Sequence, residues 1–375
     1  MKIVHVVPNI DLDSGGPSYS VTRLCEGLHN LTPQVRLFTT TTGLPTVQCA
    51  APVQAFPIIG TRKIAFSPKL KAGLKSAGLA RADILHSHGL WMLPNIYPAA
   101  ARQRSACKLL LSPRGMLAPW SLQRSRFKKR VASLLGQSTM LAQVDCFHAT
   151  AESEYEDIRR LGFRQPISVI PNGVDMPAEN SSGSAQKQVL FLSRIHPKKG
   201  IETLLSAWNR VQDVASDWQL AICGPGEAEY LSRICQQIEQ TQGQVRYVPP
   251  VFGQDKSELF YQSSLFVLPT KSENFGIVVA EALAHAVPAI VTQGAPWQGL
   301  EFHRCGWWIE DSVEVLEHSL RQAMALPASQ RAAMGQAGRQ WMQHEFSWDG
   351  VADKMLQTYQ WLHGQEKLPA FVRID

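Results

Sequence analysis

No two of the seven cysteines (Cys25, Cys49, Cys107, Cys146, Cys223, Cys235 and Cys305) form a C-x-x-C pair. Scattered and odd in number, they imply neither a disulfide framework nor a zinc ribbon. No run of about 18 apolar residues exists, so nothing in the sequence is long enough to span a membrane. The apolar run in the opening MKIVHVVPNIDLD is too short for a signal peptide, and acids follow it. A reducing, cytoplasmic setting is therefore expected. A full G-x-G-x-x-G is also missing, which argues against a dinucleotide site. No repeat of about 20–50 residues appears, which excludes a solenoid. Neither sign of charge dominates: 37 Lys and Arg face 31 Asp and Glu, for a net +6. That balance permits an acidic ligand or an anionic surface without demanding one.

The 375 residues are 45% hydrophobic and 18% charged, a globular balance in a chain too long for one ordinary core. Short apolar or β-branched runs alternate with amphipathic stretches, as in a parallel sheet with helices on its faces. In the first half, strands are expected at 2–7, 35–39, 83–88, 108–112, 145–149 and 167–170. In the second they are expected at 189–193, 219–223, 245–248, 265–269 and 289–292. The polar, small-residue stretch PAENSSGSAQKQ at 177–188 reads as a linker. Two domains follow, 1–177 and 178–346. Trp341, Trp348, Tyr359 and Trp361 crowd the last helices with large apolar groups, so about 347–375 should pack back on the body.

Three segments carry chemistry. After the first strand comes DLDSGGPSYS, where Gly15 and Gly16 let backbone approach a ligand closely. Its Asp11 and Asp13 form a D-x-D, but without the rest of a metal-binding pattern. In FLSRIHPKKGIETLL, Arg194 ends a strand while Lys199 and Gly200 open a helix, and a helix amino terminus with two cations beside it suits a diphosphate. In LPTKSENFGIVVAEALAHAVPAIVT, Glu273 precedes a helix and Glu281 lies on it, with seven residues between them. Helical side chains lean toward the amino end, so Glu281 can reach back toward the cleft that Glu273 borders. Carboxylates accept well from vicinal sugar hydroxyls. An apolar helix rarely buries an unpaired carboxylate, which makes Glu281 conspicuous; the alternative to a ligand role is an internal salt bridge.

The Glu, seven residues, Glu spacing in SENFGIVVAEAL resembles the retaining glycosyltransferases of the GT-B fold, the group 1 or family 4 type. Arg194, Lys198, Lys199 and Gly200 resemble that family's diphosphate-binding segment. VIPNGVD at 169–175 and AICGPGE at 221–227 are similar to further family segments, so the likeness spans nearly the whole chain. It implies two Rossmann-like α/β domains facing across a cleft. It also implies that Arg194 and Lys199 bind donor diphosphate, Glu281 the ribose, and Glu273 with the backbone of Asn274, Phe275 and Gly276 the donor sugar and diphosphate. The backbone around Val251, Phe252 and Gly253 would lie near the nucleobase, and Gly16 would let the first-domain loop approach the diphosphate. One departure is HAVP at 285–288, where a small residue and Gly commonly precede Val-Pro; His285 and Ala286 are bulkier.

In the first half, HSHGLWMLPN sets His86 and His88 at a strand's carboxyl end, on one face by alternation. As a zinc pair they lack a third ligand of obvious spacing. His86 reads as a satisfied buried histidine, whereas the resemblance places His88 near the transferred sugar. SPRGMLAPW ends a strand with Arg114, which could touch acceptor or phosphate or form a structural ion pair. Tyr19, Trp91 and Trp120 could stack on sugar rings, with core packing the default.

The resulting expectation is transfer of a glycosyl unit with retention from a nucleotide-diphosphate sugar to a saccharide or lipid-diphosphate-linked acceptor. No cofactor or metal is expected, because Arg194, Lys199 and a helix amino terminus take over the charge. Retention by a front-face route and a place in surface polysaccharide synthesis are implied by the resemblance. The alternatives are a sugar-nucleotide epimerase on the same fold and a non-enzymatic nucleotide-sugar scaffold. RSRFKKR at 124–130, on a helical segment that continues as VASLLGQSTML and with Arg102, Arg104 and Lys108 nearby in sequence, suits peripheral contact with an anionic membrane at the cytoplasmic leaflet. No nucleic-acid partner is expected.

Overall fold

The computed structural model describes residues 1–79, 82–102, 106–123, 126–178 and 186–374, without the side chains of 13, 78, 79 and 126–128. The Asp13 side chain, Arg104, most of the linker and part of the basic stretch thus lie outside what is described. The chain divides into two compact units, Met1–Gly173 with Trp348–Asp375, and Val174–Ser347.

The first unit holds β1 (Ile3–Val7), β2 (Val35–Thr41), β3 (Val53–Pro57), β4 (Ile84–His88), β5 (Lys108–Ser112), β6 (Cys146–Ala149) and β7 (Ile167–Val169). The second holds β8 (Gln186–Leu192), β9 (Gln219–Cys223), β10 (Gln244–Val248), β11 (Ser263–Leu268), β12 (Ala289–Thr292) and β13 (Gly306–Ile309). A short β14 (Val372–Arg373) returns to the first sheet. The first sheet runs β14-β7-β6-β5-β4-β1-β2-β3 and the second β10-β9-β8-β11-β12-β13. Every pairing is parallel except β14 against β7. Runs such as IVHVV and SSLFVL are buried along their whole length, as strands covered on both faces must be.

Strands β3, β13 and β14 were not expected. β3 is a sheet edge with most of its residues exposed, and β13, GWWI, starts on glycine with both tryptophans half-buried. Neither alternates or runs apolar long enough to show as a strand. β8 begins at Gln186, inside the stretch read as linker. The segment after 124, expected as one helix, is broken: Arg126–Ala132 and Ser138–Ala142 flank a wide turn in which Gly136 has φ of 120°.

Strand order reverses between β1 and β4 in the first sheet and between β8 and β11 in the second. Loops leaving the carboxyl ends of such neighbours part in opposite directions, and open α/β sheets place ligands there. The residues singled out from sequence sit at these two points: His86, His88 and the Gly15–Gly16 loop in one unit, Arg194, Lys199 and Glu273 in the other.

Candidate functional site

In the second unit, β8 delivers Arg194 to an exposed position, and a single 3-10 turn, Pro197–Lys199, folds the chain back so that Lys199 is buried. Gly200 makes that turn possible. Its φ is +69°, and a Cβ there would lie 1.9 Å from the carbonyl oxygen of Pro269 at the end of β11. The two loops are stitched further by Lys271 N–H donating to Lys198 O at 2.9 Å and by Thr270 Oγ1 donating to the same oxygen at 3.2 Å. Lys199 Nζ thereby meets the half-buried Glu273 Oε1 in an ion pair. Burial, with Arg194 and Lys198 close by, brings the Lys199 amine down to about 7. An amine of either charge can donate to the carboxylate.

Glu273 is followed by Asn274, Phe275 and Gly276, which lead into the helix Ile277–Ala284. Gly276, at φ +77°, turns the chain into that helix, whose first-turn N–H groups have no partners within it. The Phe275 ring points into the core against Trp297 and Phe346, and its carbonyl accepts from Trp297 Nε1 at 2.6 Å, which fixes the turn. The internal salt bridge weighed for Glu281 is present: Lys256 Nζ donates to both its oxygens, at 2.6 and 2.7 Å. Lys256 belongs to the helix Gly253–Tyr261, which starts just after Val251 and the exposed Phe252. The segment expected beside a nucleobase and the carboxylate expected on ribose are therefore joined by a residue the sequence did not single out. The departure at HAVP also has a structural consequence. Ala286 stands at φ 58°, in the left-handed region that glycine fills without strain, and His285 is held by its Nδ1 against Glu281 O at 2.7 Å.

In the first unit, Gly15 (φ +83°) turns the loop into the helix Gly16–Leu31, and space for a Cβ is open at both glycines. Asp11 of the D-x-D is buried and paired with Arg62 at 2.8 Å. His86 and His88 share a face, with ring centroids 4.0 Å apart, and His5 of β1 joins them as a third imidazole. This third ring has no motif spacing to the pair in sequence and is brought in by the pairing of β1 with β4. The separation is that of a hydrogen bond, however: His5 Nδ1 and His88 Nε2 are 2.9 Å apart. Two nitrogens bound tetrahedrally to one ion at about 2.1 Å would stand about 3.4 Å apart. His86 is satisfied as expected, by Tyr359 and Ser112. So is His88: it is buried, and its other nitrogen, Nδ1, faces Arg114 Nη2 at 3.3 Å. A direct bond from the His88 ring to a sugar would have to replace one of these.

Arg114 follows β5 at φ 56° and is half-buried. Among the described residues it makes no ion pair at hydrogen-bond range: its partners there are Asn172 Oδ1, Ser20 Oγ at 3.4 Å and His88. Of the candidate stacking residues, Trp91 packs on the core, Tyr19 lies under the Arg23 guanidinium, and Trp120 is exposed.

With this geometry in place, the likeness to known proteins can be set beside it. Residues 175–341 match the family described as Glycosyl transferases group 1, and residues 15–173 match the Glycosyl transferase 4-like domain. Together these cover most of the chain, one per unit. The chain belongs to the group 1 glycosyltransferases, and it is a transferase. Among its relatives, D-inositol 3-phosphate glycosyltransferase of Salinispora tropica is 24% identical over 92% of this chain and 81% of its own. A GDP-mannose-dependent monoacylated alpha-(1-6)-phosphatidylinositol monomannoside mannosyltransferase of Corynebacterium glutamicum is 28% identical over 69% of this chain and 72% of its own. Sucrose-phosphate synthase from Thermosynechococcus elongatus superimposes with a TM-score of 0.76 at 21% identity, covering 98% of this chain and 100% of that one. Anabaena HepE, solved with UDP and glucose, gives 0.75 at 17% identity, covering 96% and 99%. The fold is that of the GT-B glycosyltransferases.

Proposed function

We propose that this glycosyltransferase moves a sugar from a nucleoside diphosphate to a saccharide or lipid-diphosphate-linked saccharide, with retention and without a metal ion, in the building of surface polysaccharide. The observation that carries this reading is the Lys199–Glu273 pair at the switch point of the second sheet: a buried amine and a half-buried carboxylate held together where a charged ligand would meet both. One relative is named as GDP-mannose-dependent and one structural neighbour was solved with UDP, which supports a nucleoside-diphosphate donor.

In this mechanism the bond between the anomeric carbon and the diphosphate oxygen breaks, and its electron pair leaves with the diphosphate. The acceptor oxygen bonds to the anomeric carbon on the same face, and its proton passes to the leaving phosphate oxygen. Charge therefore grows on the diphosphate, where Arg194, Lys199 and the N–H groups opening the helix Ile277–Ala284 stabilise it. Lys199 exchanges Glu273 for phosphate, and the released carboxylate accepts from donor-sugar hydroxyls. Glu281, oriented by Lys256, accepts from the ribose hydroxyls, with the backbone of Val251 and Phe252 beside the base. In the first unit, Gly16 gives the loop close approach, and Arg114, backed by His88, serves the acceptor side.

A thermal-shift comparison of UDP, GDP and ADP tests the donor site. One of them should raise the melting temperature in a saturable way, since a ligand at a hundred times its dissociation constant adds about 2.7 kcal/mol. No shift with any of the three would remove the reading.

Contact with a membrane surface is part of the proposal. No helix among the described residues is long and apolar enough to cross a bilayer. Beside the basic stretch, however, Leu134 and Leu135 are 88% and 62% exposed, with Val131 and Trp120 also exposed. Basic groups next to outward apolar side chains suit shallow insertion at an anionic interface.

A further inference from the structure

The first unit contains more buried imidazoles than the reaction needs, and they are connected. Arg114 Nη2 faces His88 Nδ1 at 3.3 Å, His88 Nε2 faces His5 Nδ1 at 2.9 Å, and His5 Nε2 faces the Tyr359 hydroxyl at 3.3 Å. The same hydroxyl lies 2.7 Å from His86 Nδ1, and His86 Nε2 lies 2.7 Å from Ser112 Oγ. Ser112 Oγ is 2.7 Å from His148 Nδ1, and His148 Nε2 is 2.8 Å from the carbonyl oxygen of Ile170.

The two ends decide every proton between them. A guanidinium only donates, so His88 Nδ1 accepts and its hydrogen is on Nε2. His5 Nδ1 then accepts, and its Nε2–H donates to the Tyr359 oxygen. Tyr359 gives its own hydrogen to His86 Nδ1, His86 Nε2–H donates to Ser112, and Ser112 donates to His148 Nδ1. His148 Nε2–H ends on the carbonyl, which only accepts. One arrangement satisfies all atoms, and in it all four rings are neutral Nε2–H tautomers. A second proton on His88 or His5 would set two donors against each other, and one on His86 or His148 would leave the Tyr359 or Ser112 hydroxyl without its acceptor. Burial, with Arg114 and the neighbouring rings, also holds His5 and His148 down at about 3 and lowers His86 and His88.

Tyr359 is the one member from the far end of the chain. It comes from the helix Trp348–Leu362, which lies close on Gly16–Leu31 because Gly27 has no Cβ; one there would be 2.9 Å from Ala352 Cβ. At the other end, Arg114 is held in a left-handed backbone conformation, and the next residue, Gly115, donates its N–H to the buried Glu154 at 2.6 Å. A strained turn is thus braced to keep a cation whose hydrogen-bond partners among the described residues are neutral.

We propose that Tyr359 is a positioning residue: it closes a one-directional hydrogen-bond chain from Arg114 to Ile170 that fixes four histidine tautomers and so keeps His88 Nδ1 an acceptor that aims the Arg114 guanidinium. The proposal rests on Arg114 serving the acceptor side. Side-chain NMR of protein carrying 15N-labelled histidine reads the chain without substrate. His5, His86, His88 and His148 should each show a single neutral Nε2–H form; an Nδ1–H form at any of them overturns the chain. In kinetics, Tyr359→Phe should lower kcat about tenfold with donor KM unchanged, the worth of one net hydrogen bond. His5→Gln, which can accept from His88 and donate to Tyr359, should keep most of kcat, whereas His5→Leu should resemble Tyr359→Phe. A folded Tyr359→Phe with wild-type kcat, or His5→Gln no better than His5→Leu, overturns the positioning role; the His5 pair decides it if Tyr359→Phe does not fold. Failure of the wild type to transfer sugar would count against the preceding reading, while the tautomers answer for the chain separately.

Discussion

At the scale of single residues, the account turns on Lys199. Its amine stands at about 7 in the free protein, so above that pH it is largely neutral. A bound diphosphate favours the ammonium form and raises its pKa, so binding at pH 8 should take up a proton, whereas binding at pH 6 should take up almost none. Calorimetry with UDP in buffers of different ionisation enthalpy reads this directly, and equal enthalpies at pH 8 would show that Lys199 does not meet the phosphate. Lys199→Ala should weaken nucleotide affinity by about 1.5–3 kcal/mol, the worth of a charge-assisted hydrogen bond. Glu281 and Lys256 act as a pair, so Glu281→Gln and Lys256→Met should each weaken nucleotide binding and the double variant should add little. A fully additive cycle would separate them. The two carboxylates, Arg194 and Lys199 were legible in the sequence because motif spacing marks them. Lys256 was not: it lies on a different helix, and periodicity reveals a helix's faces without saying what each one meets.

At the scale of elements, the strands with continuous apolar runs were legible and the edges were not, since edge strands such as β3 carry exposed side chains. The histidines show the same limit. His86 and His88 could be placed on one face by alternation, but Tyr359 meets His86 across 273 positions of sequence, which no local pattern encodes. A visible trace was nonetheless there. Strands buried on both faces are nearly all apolar, yet His5, His86, His88 and His148 interrupt β1, β4 and β6. The join between the loops after β8 and β11 yields a prediction at this scale. Gly200→Ala would set a Cβ against the Pro269 carbonyl and force a positive φ on alanine. It should cost more than about 2 kcal/mol of stability and separate Lys199 from Glu273, weakening UDP binding as well. Unchanged melting temperature and affinity would show that the two loops are not locked at this point.

At the scale of the whole molecule, each unit is an open, almost wholly parallel sheet whose switch point gathers polar residues, one set cationic with carboxylates and the other rich in histidine. Association with membranes belongs here, because it depends on the sum of an exposed apolar tip and its basic surroundings. Co-sedimentation with vesicles containing anionic lipid should fall with salt. It should fall again when Leu134 and Leu135 are both changed to Ser; a double variant that pellets like wild type would clear this segment of a membrane role. The central claim is glycosyl transfer with retention, driven by protein cations in place of a metal. It is tested most directly by incubating the enzyme with UDP-glucose or GDP-mannose and a panel of saccharide and lipid-linked acceptors in excess EDTA, and reading the new anomeric centre by NMR. The product should carry the donor's anomeric configuration and form at the same rate with and without the chelator. An inverted product, or activity that collapses in EDTA and returns with manganese, would contradict it.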